Sequence, residues 1–469
     1  MSYLRPQPSA APGVCSPTHE TATIALTEPP NLGFSNPPVP QRVSPRFPMA
    51  MKKSSVIPIL GCLLASAHAQ DLKYSFQGSA PGCTPVMAQS NYNAAAGFGW
   101  LLAPDGTKPS IFAVDVPEGN YDVTITFGDP NSPTDTTIKA ESRRLVIEKV
   151  DTLPGKTETR TFTVNERRPE IGTGGAVAID GREKGPPVVP DWDTHLSFEF
   201  NGSHPGVQTL EVKPDPTAVT IFLAGDSTVT DQTFEPWCTW GQMLPRFFGP
   251  GVSIADYAQS GLTATSFEHQ RRLEKLLSVM KKGDYLFIQF GHNDQKDKSP
   301  GAGPYTTYKA NLKRYVEAAR AKGGIPVIVT PMERRRWLNG QPQPTLADFA
   351  AAGRQVASEE GTPLIDLNAM SLKFYTALGP DKSTKAFVHY PANTYPGQTK
   401  ELKDDTHHNP YGGYELARCV VEGIKSGVPA LAPYLTKDPG PFDPSKPDSL
   451  DTFNIPASPF SVVQKPAGS

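Results

Sequence analysis

Two rhythms of apolar and polar positions divide the chain. From Leu72 to about Lys213 the period is two: in "NYDVTITFGD" Tyr121, Val123, Ile125 and Phe127 alternate with Asp122, Thr124 and Thr126. "THLSFEFNG" repeats the pattern through Leu196, Phe198 and Phe200, and "VQTLEVKP" through Gln208, Leu210 and Val212. Turn residues such as Pro117-Glu118-Gly119-Asn120 separate the runs, and no amphipathic helix is expected between them. Alternation at this spacing puts the apolar side chains on one face of a pleated strand, so residues 71–213 are predicted to form an all-β sandwich of short antiparallel strands.

After Pro214-Asp215-Pro216 the rhythm changes. "AVTIFLAG", "VSIADYA", "DYLFIQFG", "IPVIVTP" and "PLIDL" are short, nearly continuous apolar runs, as expected of strands buried on both faces. Between them lie helical stretches at Ser266 to Met280, Tyr305 to Lys322 and Leu346 to Glu359. In the second, Tyr308, Leu312, Tyr315 and Ala319 step by four, three and four and share a face. Strands alternating with helices predict a flavodoxin-like, doubly wound α/β sheet over residues 218–430. Ligands of such sheets sit at the carboxyl ends of the strands.

The N-terminus follows neither rhythm. Residues 1–50 are rich in Pro and Ser and read as disordered. Met51-Lys52-Lys53, the apolar run Val56 to Ala65 and the small-x-small site Ala67-His68-Ala69 then make a secretory signal peptide over residues 51–69. This predicts translation from Met51, residues 1–50 being a gene-model extension, and an extracellular mature protein. The apolar run is too short to span a bilayer. Residues 435–469, rich in Pro and Asp, read as a tail without chemistry.

Composition narrows the function. With 469 residues, 38% of them hydrophobic, the chain can bury a full core and two domains. A formal net charge of −2 argues against a nucleic-acid partner, which needs clustered Lys and Arg. Cys83, Cys238 and Cys419 lie beyond the cleavage site; they allow one disulfide and do not identify the pair. Asn201-Gly202-Ser203 is a glycosylation acceptor tripeptide.

The chemistry gathers at the predicted strand ends. The first strand runs into Gly225-Asp226-Ser227-Thr228, the second into Ser260-Gly261-Leu262, and the third into Gly291-His292-Asn293-Asp294. "DDTHHNPYGG", Asp404 to Gly413, follows the fifth. A serine hydroxyl attacks only when a histidine takes its proton, and that histidine needs an acid to fix its tautomer. Backbone N–H groups of Ser227 and Gly261 and the Asn293 amide could receive an oxyanion. Spacing does not choose between Asp404 with His407 and Asp405 with His408. Carboxylate and imidazole are also zinc ligands, yet no Cys pair or second His cluster completes a metal site. Asp226 reads as structural, His292 as a packed loop residue, and Trp237 and Trp240 as core or as a sugar-facing surface.

The blocks "LAGDSTVTDQ", "WGQMLP", "SGLTATSF", "FGHND", "LIDL" and "DDTHHNPYGG", in this order, resemble the SGNH (GDSL-type) hydrolase superfamily and its rhamnogalacturonan acetylesterase-like branch. The resemblance covers about Ala218 to Val428. It implies Ser227 as nucleophile, and Ser227, Gly261 and Asn293 at the oxyanion. It also selects the Asp404/His407 register, because relatives carry Asp-x-Thr-His with a glycine five residues on, here Gly412. Asp256 replaces a frequent Asn, and Leu262 a frequent Arg. The β-rich domain resembles the galactose-binding-like sandwiches found beside carbohydrate enzymes, either as sugar binder or as spacer. The implied protein is a secreted, monomeric serine esterase that needs no cofactor and deacetylates a plant cell-wall polysaccharide. An esterase for another acylated glycan or lipid, or an inactive carbohydrate-binding protein, are the alternatives.

Overall fold

In the computed structural model, which describes residues 72–106, 109–184 and 192–467, the period-two region forms two facing sheets of five strands. The predicted extension and signal peptide lie outside the described residues. One sheet orders Thr84–Pro85, Leu72–Ser75, Val207–Pro214, Gly119–Phe127 and Glu158–Glu166. The other orders Phe98–Leu102, Ser110–Asp115, His195–His204, Thr134–Ala140 and Arg144–Thr152. Val123, Ile125, Phe127, Phe198, Phe200 and Leu210 share the core between them. Along His195–His204 the alternate residues Ser197, Glu199 and Asn201 are buried too, because other segments cover that outer face. Ser197 N–H donates to Glu141, Ser458 Oγ to Glu199, and Asn201 Nδ2 to Glu199 and the Ala457 carbonyl. Asn201, 3% exposed with its amide nitrogen engaged, is therefore no acceptor for a glycan in the folded chain.

A short helix, Gly181–Lys184, interrupts the strands where none was expected. Reciprocal bonds between Asp180 and Glu183 close this single turn, which is too short to show an apolar period.

The second region is a five-stranded parallel sheet: β1 (Val219–Gly225), β2 (Val252–Asp256), β3 (Tyr285–Gln289), β4 (Ile325–Val329) and β5 (Leu364–Ile365), in the order β2-β1-β3-β4-β5. Successive residues feed opposite cores. Ile221 and Leu223 pack with the helix Pro410–Gly427, while Phe222 and Ala224 pack with Lys309–Ala321 and Ala347–Glu360. Burial on both faces is why these strands read as continuous apolar runs. The predicted helix from Ser266 is two helices, Ala264–His269 and Arg272–Val279, broken where Arg271 takes φ 61°.

Two segments carry structure that the sequence did not predict. Leu402–His408 is a strand, paired antiparallel with Phe387–Tyr390. Residues 435–467 are tied to the protein: Leu450, Phe453 and Ile455 pack against the core of the α/β region, and Tyr411 Oη donates to the Asp448 carbonyl. Cys83, Cys238 and Cys419 are all free thiols.

Candidate active site

Ser227 sits two residues beyond β1. Asp226 builds its turn, with the Asp226 carbonyl accepting from the Val229 and Thr230 N–H groups and Oδ1 from Thr228 N–H and Oγ–H. Burial pushes the Asp226 carboxyl up, but the neighbouring His292 and the Thr228 donors outweigh it and leave the pKa lowered. His292 Nδ1 lies 3.5 Å from Asp226 Oδ2, and burial lowers the histidine's pKa. Asp226 thus supports the turn and His292 is a buried loop residue, as the sequence suggested.

Ser227 Oγ and His407 Nε2 are 2.8 Å apart, and His407 Nδ1 and Asp404 Oδ2 2.9 Å apart. Residues i and i+3 of a regular strand do not meet. Here the pairing shifts: Phe387 faces His408 while Val388 faces Asp404, so Asp405, Thr406 and His407 bulge from the ladder. The bulge curls the chain around Asp404, whose Oδ1 accepts from Thr406 and His407 N–H at 2.9 and 3.0 Å. Burial again opposes ionisation, but the bond and charge of His407 with these N–H donors hold the carboxyl far below the usual range. Asn409 then caps the helix Pro410–Gly427 by accepting from Gly412 N–H at 3.1 Å. A side chain on Gly412 would overlap the Ala386 carbonyl and the His408 ring, so the turn requires glycine.

The rival register is taken apart. Asp405 bonds His389 at 2.8 Å and Arg335 at 3.0 Å, whereas His408 shares a 2.8 Å bond with Tyr375 Oη.

Gly261, in the left-handed region at φ 85°, follows β2. Asn293, buried after β3, donates from Nδ2 to the Leu262 carbonyl at 3.0 Å, which ties the two loops together and leaves that nitrogen a second hydrogen. Leu262 is in the core beside Phe267. Asp256 Oδ1 accepts from Ala258 N–H at 2.9 Å and shapes the same loop. Among the described residues, no group of three or more His, Cys, Asp or Glu could hold a metal ion.

Several contributors were not legible as site residues. Trp237 is buried and points its indole N–H at Asp404 Oδ2, 3.5 Å away; Trp240 donates to Gln289 at 2.8 Å and is core. Gln232 Nε2 donates to the Ser227 carbonyl at 2.8 Å. Arg334 links the loops by donating to the His292 carbonyl, Gln295 and Thr406. Most unexpected is the C-terminal segment. Glu235 N–H donates to the Phe460 carbonyl and the Glu235 carbonyl accepts from Val462 N–H, Lys465 Nζ reaches within 3.9 Å of Asp404 Oδ2, and Ala467 lies against Gly261. Ser227 and His407 are only 1% and 2% exposed.

A serine, histidine and acid in line at the carboxyl edge of a doubly wound sheet define a serine-type ester hydrolase. Residues 223–412 match the model of the GDSL-like lipase/acylhydrolase family, and the chain belongs to that SGNH hydrolase family. It is 39% identical over 215 residues to the rhamnogalacturonan acetylesterase RhgT of Bacillus subtilis, covering 45% of this chain and 92% of the relative. It is 37% identical over 215 residues to the probable rhamnogalacturonan acetylesterase YesY of the same organism, covering 45% and 94%. A third relative, the B. subtilis esterase YxiM, is 24% identical over 373 residues, 74% of this chain and 87% of that one.

Proposed function

We propose that this protein is a secreted carbohydrate acetylesterase that removes acetyl groups from a plant cell-wall polysaccharide, rhamnogalacturonan first among them, through an acetyl-enzyme on Ser227. The observation that carries the reading is the continuous line from Ser227 Oγ through His407 to Asp404. The names of RhgT and YesY support the substrate, and the signal-peptide pattern at residues 51–69 supports secretion.

His407 Nε2 takes the Ser227 proton as Oγ attacks the acetyl carbonyl carbon, and Asp404 stabilises the imidazolium. The carbonyl oxygen becomes an oxyanion, received by the Ser227 and Gly261 N–H groups and the remaining Asn293 hydrogen. Collapse expels the sugar oxygen, which takes the proton from His407. Water, deprotonated by His407, then attacks the acetyl-enzyme; as the acyl–oxygen bond breaks, Ser227 Oγ takes that proton back from His407 and acetate leaves. Every proton is carried by side chains already in contact.

The test is acetate release from acetylated rhamnogalacturonan, acetylated xylan and p-nitrophenyl acetate by the protein and its Ser227→Ala variant. Release from rhamnogalacturonan that disappears in the variant supports the proposal. Turnover of the small ester alone overturns the polysaccharide assignment, and a fully active, folded variant overturns the mechanism.

A further inference from the structure

The turn between the strands Thr134–Ala140 and Arg144–Thr152 is under unusual backbone constraint. Glu141 (φ 55°) and Arg143 (φ 65°) both occupy the left-handed region, which residues bearing a side chain rarely adopt and which surrounding contacts must enforce. Ser197 holds Glu141 within the sandwich, whereas the side-chain contacts of Arg143 lie in the hydrolase domain. Arg143 Nη1 donates to the carbonyls of Gln232 at 2.8 Å and Trp237 at 3.0 Å, and Nη2 pairs with Glu235 Oε1 at 2.6 Å. Beside it, Arg144 Nε donates to Asp231 Oδ2 at 2.7 Å. All of these groups are buried. One guanidinium from the β-sandwich thus fixes both ends of the loop 232–237.

That loop reaches the two ends of the Ser–His–Asp line. From its first residue, Gln232 Nε2 holds the Ser227 carbonyl at 2.8 Å. From its last, the Trp237 indole N–H faces Asp404 Oδ2 at 3.5 Å. We propose that Arg143, a residue of the β-sandwich, is a positioning residue for ester hydrolysis: its guanidinium sets the separation of Gln232 and Trp237, and through them the alignment of Ser227 with Asp404. The inference rests on the triad reading given above. It makes the sandwich a working part of the hydrolase site. The planar fork of arginine matches three acceptors at once, whereas a lysine ammonium at the end of a flexible stem cannot reproduce that geometry.

The test compares full-length wild type, Arg143→Lys, Gln232→Met, the double variant and Ser227→Ala, with p-nitrophenyl acetate as substrate and thermal melting as the check on folding. Arg143→Lys is expected to lower kcat about tenfold or more with KM within about twofold, because misalignment of the reacting groups acts on the chemical step. Gln232→Met is expected to lower kcat as well. The double variant is expected to be no slower than the worse single one, since both act through the same loop. A folded Arg143→Lys protein with wild-type kcat, or strictly multiplicative losses in the double variant, overturns the inference. Should Arg143→Lys fail to fold, wild-type kcat in Gln232→Met does so instead. An inactive Ser227→Ala beside a fully active Arg143→Lys rejects this inference alone, whereas an active Ser227→Ala rejects the triad reading and this inference with it.

Discussion

His408 shares a 2.8 Å hydrogen bond with the Tyr375 hydroxyl, on the far side of the bulge from Asp405. The adjacent histidine, His407, faces Ser227 instead. Two neighbouring histidines are thereby sent to different tasks, one toward Ser227 and one toward Tyr375 in the core.

The division predicts a sharp contrast between neighbouring acids. Asp404→Asn is expected to lower kcat about a thousandfold or more, since an amide fixes the wrong tautomer of His407. Asp405→Asn loses partly exposed pairs with Arg335 and His389, worth about 1 kcal/mol or less, and is expected to keep kcat within about threefold. Steady-state kinetics on p-nitrophenyl acetate decide; equal losses in the two variants contradict the assignment.

His408 also sets an acid limit. Burial lowers its pKa from the ordinary 6.5 to about 3, so the folded state holds it neutral. Its contribution to stability is present above the unfolded value and is lost as pH falls from 6.5 toward 3, because only the unfolded chain takes up the proton in that window. The Asp404 carboxyl, held below its unfolded value, acts with the same sign at lower pH. His408→Gln is expected to abolish about 2–3 kcal/mol of the loss between pH 7 and pH 4.5, measured by urea unfolding at both values. Parallel pH dependence in wild type and variant counts against it.

Asn293 is placed to receive developing charge. Asn293→Ala is expected to lower kcat about a hundredfold with little change in KM, because the donor acts on the oxyanion more than on the bound ester. Leaving the Leu262 carbonyl without its partner costs about 1 kcal/mol more, read from the melting temperature. A change confined to KM contradicts the oxyanion role.

The C-terminal segment lies over the site, with Ala467 on Gly261 and Lys465 beside Asp404. Val462→Pro removes the N–H that bonds the Glu235 carbonyl at 3.0 Å and is expected to loosen this segment. A segment seated in about nine molecules of ten lowers the apparent kcat/KM about tenfold, so the variant is expected to regain that factor on acetylated polysaccharide. Unchanged or lower activity in the folded variant shows that the segment does not obstruct the cleft.

Much of this molecule was legible in its residues because both layers follow simple periods. Alternation in Tyr121 to Phe127 reports a sheet with one face in the core, and runs such as "TIFLAG" report strands covered on both sides. The chemistry-bearing blocks at the strand ends were visible for the same reason: the topology of a parallel sheet brings those ends to one edge. Spacing alone left Asp404 and Asp405 undecided, because it was offered twice; the resemblance selected Asp404, and the three-residue bulge opposite Phe387 and Val388 is what physically separates them. Nor could the chain order reveal that Arg143 reaches Gln232, or that Ala467 returns to Gly261 across more than two hundred residues. Local pattern determines which face of a strand or helix is apolar. Which distant carbonyl meets a guanidinium, and which glycine meets the end of the chain, depends on how the sandwich, the sheet and the C-terminal segment pack together, and only the tertiary structure decides that.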